Sequence, residues 1–313
     1  MKEKIKIGSR GSALALWQTN WVIAELKKIL PELKVEIEII KTQGDKILDA
    51  PLSKIGDKGL FTKELETALL SKKIDAAVHS LKDVPTKIPD GLTITAITKR
   101  EDVRDVFISP IGKSYDFNQL PGNAKIATGS LRRKSQLLNW RKDLQIIDIR
   151  GNLNTRLSKL DSSDWHGMIL AKAGVIRLGL KDRISYTMPL EILLPAVGQG
   201  ALGIEIRQED EFAKQVFEKL NHYETAVACI SERALLRRLE GGCQIPVAAF
   251  GKVENTTLLL KALIGSLDGK TIIRDEISGD LSQAEELGIL LAEKLLSQGG
   301  MEILKDIDRT NPI

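Results

Sequence analysis

Cys243 stands in the run Glu240-Gly241-Gly242-Cys243-Gln244-Ile245-Pro246, directly after a long helical pattern, and is one of two cysteines in 313 residues. Paired glycines stop a helix, so the thiol is expected on a loop that can present it to a cleft. There it could serve as a point of covalent attachment. An isolated cysteine is more often a small buried hydrophobe, and only the other residues of the chain shift that balance. A second chemical group is Asp83, in His79-Ser80-Leu81-Lys82-Asp83-Val84-Pro85. A strand ends at His79 and Pro85 prevents helix continuation, which places the carboxylate on a rigid turn. Lys82, together with Lys54 and Lys58 of a neighbouring loop, is expected to keep it ionised. A fixed carboxylate among cations can stabilise positive charge developing on a substrate or move protons. For a lone aspartate the commoner role is an Asx turn.

A third feature recurs along the chain. Gly8-Ser9-Arg10-Gly11-Ser12 follows a strand and opens a helix, where backbone N–H groups and the helix dipole favour an anion. Arg10 adds a planar fork suited to a carboxylate, whereas Ser12 is accounted for by helix capping. Thr128-Gly129-Ser130-Leu131-Arg132-Arg133 repeats the device. Arg150-Gly151-Asn152 does so again, with Arg156 one turn into its helix, and Arg177 ends a further helical segment. Ligand crevices of open α/β sheets lie beyond the carboxyl ends of the strands. Four such sites together point to a ligand bearing many carboxylates or phosphates.

These residues need elements to position them. Strands are expected over 4–7, 35–41 and 75–79, with helices over 12–30 and 61–71, an alternation that argues a mostly parallel α/β sheet. Residues 43–59, rich in Gly, Asp and Lys, show no periodicity and read as a lid loop. A second α/β unit follows, with strands over 103–109, 125–128, 145–149 and 167–171 and helices over 130–140, 152–160 and 171–178. A strand over 202–206 then returns the chain to the first unit. The last third reads as α+β: a helix over 222–239, strands over 247–253, 257–263 and 271–277, and a helix over 282–296. The expected domains are 1–98 with 195–217, then 99–194, then 218–313.

Composition bounds the function. Hydrophobic residues make up 42% and charged residues 28%, as in ordinary globular proteins. A charged N-terminus without an apolar run, and the lack of a span-length apolar stretch, lead to the expectation of a cytoplasmic protein without a membrane partner. Two cysteines cannot build a disulfide framework. The net charge of +4 raises nucleic acid as a ligand, but the key arginines stand singly and aromatics are only 4%, too few for a stacking platform. His79, His166 and His222 lack metal-ligand spacing, so no metal is expected. Walker and dinucleotide fingerprints are missing, and Cys229 reads as a core thiol.

Taken together, these stretches resemble the porphobilinogen deaminase family. The matching runs are Ile7-Gly8-Ser9-Arg10-Gly11-Ser12-Ala13-Leu14-Ala15, Gly59-Leu60-Phe61-Thr62-Lys63-Glu64-Leu65, His79-Ser80-Leu81-Lys82-Asp83, Gly129-Ser130-Leu131-Arg132-Arg133, Arg150-Gly151-Asn152, Val197-Gly198-Gln199-Gly200 and Glu240-Gly241-Gly242-Cys243. They occur in family order from end to end. The resemblance implies two periplasmic-binding-protein-like α/β domains plus a small C-terminal α+β domain. It also implies a dipyrromethane cofactor joined by a thioether to Cys243, and a transferase that condenses four porphobilinogen molecules with loss of ammonia before releasing hydroxymethylbilane.

By the same resemblance Asp83 is the catalytic carboxylate. Asp83 itself, with Lys82, Ser80, Thr128, Ser130, Arg132, Arg133 and Arg150, holds the cofactor. Arg10, Ser12, Gln18, Phe61, Arg150, Arg156, Arg177 and Gln199 hold the substrate and growing chain, Lys54 and Lys58 belong to the lid, and the enzyme is a monomer. The rival from another class is a non-enzymatic organic-anion-binding module, which needs the arginines but neither Asp83 nor a modified Cys243.

Overall fold

The computed structural model describes residues 4–46, 59–239 and 245–310. Cys243, Lys54 and Lys58 lie outside the described residues. The described chain divides into two compact units, one drawn from 4–46, 59–101 and 198–226, the other from 102–197, 227–239 and 245–310.

The first unit begins with β1 (Lys4–Ser9), α1 (Ala13–Ile29), β2 (Lys34–Ile39), the single turn α2 (Gln43–Lys46), α3 (Lys63–Leu70), β3 (Ala76–Ser80) and β4 (Leu92–Ile97). The second contains β5 (Asp105–Ile108), β6 (Lys125–Ala127), α4 (Leu131–Trp140), β7 (Gln145–Ile147), α5 (Leu153–Asp161), β8 (Gly167–Ala171), α6 (Lys172–Arg177) and β9 (Tyr186–Thr187). The chain returns to the first unit with β10 (Leu202–Arg207) and α7 (Glu211–Phe217). It then forms α8 (Tyr223–Arg238), β11 (Val247–Glu254), β12 (Thr257–Gly265), β13 (Ile272–Asp280), α9 (Ala284–Leu295) and α10 (Met301–Thr310).

The two larger sheets share one plan. The first has the order β2-β1-β3-β10-β4 and the second β7-β6-β8-β5-β9. The strand that enters from the crossing segment, β10 or β5, pairs antiparallel with both neighbours, while the other pairings are parallel. These are the two mostly parallel α/β sheets expected, accompanied by an antiparallel sheet β11-β12-β13. Each larger sheet packs apolar side chains on both faces. In the first, Ile5, Ile7, Val78, Ile204 and Ile206 pack with Val22 and Leu26 of α1 and Phe217 of α7. Ala77 faces Leu65 and Leu69 of α3 on the other side. Full burial of each Leu or Ile contributes about 1.5–3 kcal/mol.

The structure departs from the sequence expectation in physically interpretable places. Gln43–Lys46, expected to be loop, forms one helical turn, because Asp45 within it is bound by Arg10 and Thr42. Strand β4 and helices α7 and α10 were not anticipated. β4 alternates Thr with Leu and Ile (Leu-Thr-Ile-Thr-Ala-Ile), a pattern legible only once β10 lies beside it. The helix expected over 12–30 is α1, with Ser12 as its N-cap, its hydroxyl accepting from the Ala15 N–H at 3.3 Å.

The second unit is built around a buried charge cluster. Asp105, fully buried at the head of β5, accepts from Nη2 of Arg132 at 2.9 Å and Nη2 of Arg133 at 2.8 Å. The remaining forks donate to the carbonyls of Leu194 and Ile169. Burial lowers the proton affinity of the Arg132 guanidinium, and the Asp105 charge opposes that. Removing the carboxylate would leave two buried cations with no counter-charge. Asp105→Asn is therefore expected to lower stability by about 3–5 kcal/mol, measured as a fall in the denaturant midpoint. An unchanged midpoint would refute the role given to the cluster.

Candidate active site

The turn bearing Asp83 is a 3-10 segment, Leu81–Asp83, that follows β3 directly. Extended Val84 precedes Pro85, as the proline ring requires of its neighbour. Leu81 is the anchor. Its side chain is buried, its N–H donates to the Ala201 carbonyl at 3.0 Å, and a Cβ at Gly198 would lie 3.0 Å from its Cγ. Gly198 also has φ +70°, a backbone region glycine enters without penalty. The loop 197–200 is thereby pressed against the Asp83 turn. Gln199 is buried and its carbonyl accepts from Arg100 Nε at 2.7 Å. Gln18, buried on α1, donates from Nε2 to Ser80 Oγ at 2.8 Å. Lys82 and Asp83 themselves are half-buried.

Arg10 has a protein partner that the sequence reading missed. It forks onto Asp45, with Nε to Oδ2 at 3.2 Å and Nη2 to Oδ1, and its guanidinium lies 4.2 Å from the centre of the Phe61 ring. Burial alone would raise the Asp45 carboxyl, but hydrogen bonds and charge from Arg10, with Thr42, hold it below its ordinary range. Arg10 and Phe61 thus form one stacked arrangement at the end of β1.

The corresponding loops of the second unit approach each other closely. A Cβ at Gly129 would lie 2.6 Å from the Ile149 carbonyl oxygen, so only glycine lets the 128–130 turn reach the Arg150 turn. Thr128 Oγ1 accepts from the Ser130 N–H at 3.2 Å, and Ser130 Oγ caps α4 by accepting from the Arg133 N–H at 3.4 Å. Arg150 is half-buried, Arg156 donates from Nε to the Gly151 carbonyl at 2.7 Å, and Arg177 is buried at the end of α6. Arg132 and Arg133, expected to be ligand forks, each direct Nη2 to Asp105 and Nη1 to a backbone carbonyl. Nε of Arg133 is buried without a partner among the described residues. The signal for Asp105 was present in the sequence: an aspartate opening the otherwise apolar strand Asp-Val-Phe-Ile.

One further group lies directly behind the Asp83 turn. His79, read from sequence as packing or surface, is buried, with Nε2 at 2.9 Å from Oε2 of buried Glu205. Glu205 interrupts the apolar strand Leu-Gly-Ile-Glu-Ile-Arg, which was the available clue. Among the described residues no cluster of three or more His, Cys, Asp or Glu side chains is arranged to hold a metal ion. No described helix is long and apolar enough to cross a membrane. Cys229 is buried in α8.

The first unit therefore offers a rigid carboxylate and an arginine stacked on an aromatic ring. The second offers a glycine-dependent cradle of hydroxyls and guanidinium groups. The guanidinium and hydroxyl groups of these loops are the donor types that a polycarboxylate requires. Comparison with known proteins agrees. The family model described as the porphobilinogen deaminase dipyromethane cofactor binding domain matches residues 5–215, and that of the porphobilinogen deaminase C-terminal domain matches 226–297. A porphobilinogen deaminase of Chlorobaculum tepidum is 54% identical over 99% of this chain and 100% of its own length. That of Carboxydothermus hydrogenoformans is 53% identical over 99% of each. Among solved structures, the methionine-binding protein MetQ aligns at TM-score 0.45 and 15% identity over 70% of this chain and 89% of its own. With its family models and full-length relatives in agreement, this chain belongs to the porphobilinogen deaminase family.

Proposed function

We propose that this protein condenses four porphobilinogen molecules head to tail, with loss of ammonia, and releases hydroxymethylbilane, with Asp83 as the catalytic carboxylate. The observation that carries this reading is the match of the cofactor-binding domain model across residues 5–215, within which Asp83 sits on a turn anchored through Leu81. The dipyrromethane, when bound, supplies the nucleophilic pyrrole carbon from which the chain grows.

The residues of this chain act on the substrate. Asp83, held by the Leu81 anchor and the following Pro85, presents a carboxylate whose position is set before substrate arrives. Accepting from the pyrrole N–H, it stabilises the positive charge that develops on the ring as ammonia leaves. Once the new C–C bond has replaced the broken C–N bond, the same oxygens take up the proton lost from the α-carbon of the terminal pyrrole of the growing chain, whose ring thereby regains aromaticity. Each pyrrole carries two carboxylates, so an elongating chain needs many charge-assisted donors, and guanidinium forks provide them bidentately. Arg10, Arg150, Arg156 and Arg177 are assigned to substrate and growing chain, with Ser12, Gln18, Phe61 and Gln199. Lys82, Ser80, Thr128, Ser130, Arg132, Arg133 and Arg150 are assigned to the cofactor.

A substrate carboxylate at Arg10 competes with Asp45, so ligand binding there is an exchange of partners, whereas Arg132 and Arg133 keep Asp105 as their counter-charge. Cys243 is assigned the thioether, Lys54 and Lys58 the lid. The proposed domains are 1–98 with 195–217, 99–194 and 218–313, in a cytoplasmic monomer whose partners are neither nucleic acid nor membrane.

Intact-protein mass is expected to exceed the sequence mass by one dipyrromethane, and Cys243→Ser to abolish the excess. A fully active, unmodified wild type would overturn the covalent assignment. Asp83→Asn is expected to cut turnover by a factor on the order of 10² or more while the cofactor mass is retained. Near-normal turnover would remove Asp83 from its role. Arg150→Leu, which deletes a charge-assisted fork, is expected to raise KM for porphobilinogen about tenfold or more. Unchanged binding and elongation would refute the anion-cradle assignment.

A further inference from the structure

The alternation of β3 and β10 places two ionisable side chains, His79 and Glu205, under α3, which itself contributes a third, Glu66. Val78, Ile204 and Ile206 point to the α1 face of the sheet, so His79 and Glu205 share the opposite face with Ala77, which packs against Leu65 and Leu69 of α3. Gly203 lies directly across from His79 in the strand register, and Glu205 lies across from Ala77. The imidazole can therefore lean diagonally over the glycine to reach Glu205 at 2.9 Å. At that separation one proton lies between Nε2 and Oε2. The helix α3, whose Leu65 and Leu69 pack on this face, also carries buried Glu66, and the charges of Glu205 and His79 act on its carboxyl. All three side chains are buried, and one oxygen each of Glu66 and Glu205 has no hydrogen-bond partner. Two buried carboxylates beside one imidazole cannot all be ionised without an uncompensated buried charge, so the cluster needs an additional proton.

The geometry points to Glu66 as a positioning residue: by carrying that additional proton it keeps the His79–Glu205 contact, and with it the end of β3 from which the Asp83 turn springs, in place. His79 is four residues before Asp83, and the only residue of β3 beyond it is Ser80, the partner of Gln18. Burial raises the Glu66 carboxyl above its ordinary value and the Glu205 charge raises it further, while Thr62, His79 and Lys63 act in the opposite direction. These are the groups facing Glu66 from α3, the residue preceding it, β3 and β10. The folded protein thus holds a proton that the unfolded chain has already lost. Stability from this site is present at low pH and declines as pH rises from the unfolded value through the folded one. Ionisation of Glu66 would add a second negative charge to this buried layer, opposed by that of Glu205, and displace the turn. This inference rests on the proposed catalytic role of Asp83.

The test uses the holoenzyme with Glu66→Gln, a permanently neutral isostere, and Glu66→Ala. In difference infrared spectra taken across a pH titration, the wild type should show a buried carboxylic-acid C=O band that disappears as pH rises and is absent from Glu66→Gln. Glu66→Gln should keep wild-type kcat at neutral pH and move the alkaline limb of kcat to higher pH. Glu66→Ala should lower kcat by up to about 10²-fold with KM little changed. The proposal is overturned if the band is missing from the wild type or persists in Glu66→Gln, if the alkaline limb does not move, or if glutamine is as damaging as alanine. Should the alanine variant not fold, the spectrum and pH profile of Glu66→Gln decide alone. Absence of the dipyrromethane mass from the wild type would instead sink the functional reading and leave the infrared result standing.

Discussion

The antiparallel insertion of β10 between β3 and β4 is the constraint on which the first unit depends. Without it β3 would be an edge strand, with its outer N–H and C=O groups unpaired. Its pairing with β3 reaches Ser80 through Leu202, and the next bond in line, from Leu81 N–H to the Ala201 carbonyl, seats the turn that carries Asp83. The residues just before β10 supply Gly198 and Gln199 against the same turn. One strand, contributed by a chain segment more than a hundred residues downstream, thus closes the sheet, buries Glu205 beside His79 and sets the position of the candidate catalytic carboxylate.

The same plan serves the second unit, where β5 is the inserted antiparallel strand. There the strand brings a charge as well as a backbone. Asp105 draws Arg132 and Arg133 of α4 into the core. An arginine that reads as a ligand fork in sequence is thereby also a structural cation. The two readings are compatible because a guanidinium carries five donors, and the Nε of Arg133 is left over. Arg10 with Asp45 repeats the theme at the end of β1. Internal carboxylates can hold guanidinium groups in shape between encounters with acidic ligands, limiting the entropy lost on binding.

Local patterns made much of this legible. Junctions of strand, glycine and a capping Ser or Asn announced α1, α4 and α5, because capping chemistry is a property of a few adjacent residues. The return of the chain near residue 202 was also readable, since an apolar strand after a long insertion has few places to go. The motifs at Arg10, Asp83, Gly129-Ser130, Arg150 and Gln199 carried the family resemblance, and the family models agree with it.

What sequence could not supply is the identity of partners distant along the chain. Asp45 for Arg10, Asp105 for Arg132 and Arg133, and Glu205 for His79 are 35, 27, 28 and 126 residues away. Nothing in local propensity ties them together. Strand β4 likewise became a strand only because β10 offered it a ladder. The sequence by itself determined the types of chemical group, their local caps and turns, and the family, because these depend on residues near one another. The tertiary structure alone decided which charges are buried and what they neutralise, because burial and pairing are set by sheet register and helix packing across the whole chain.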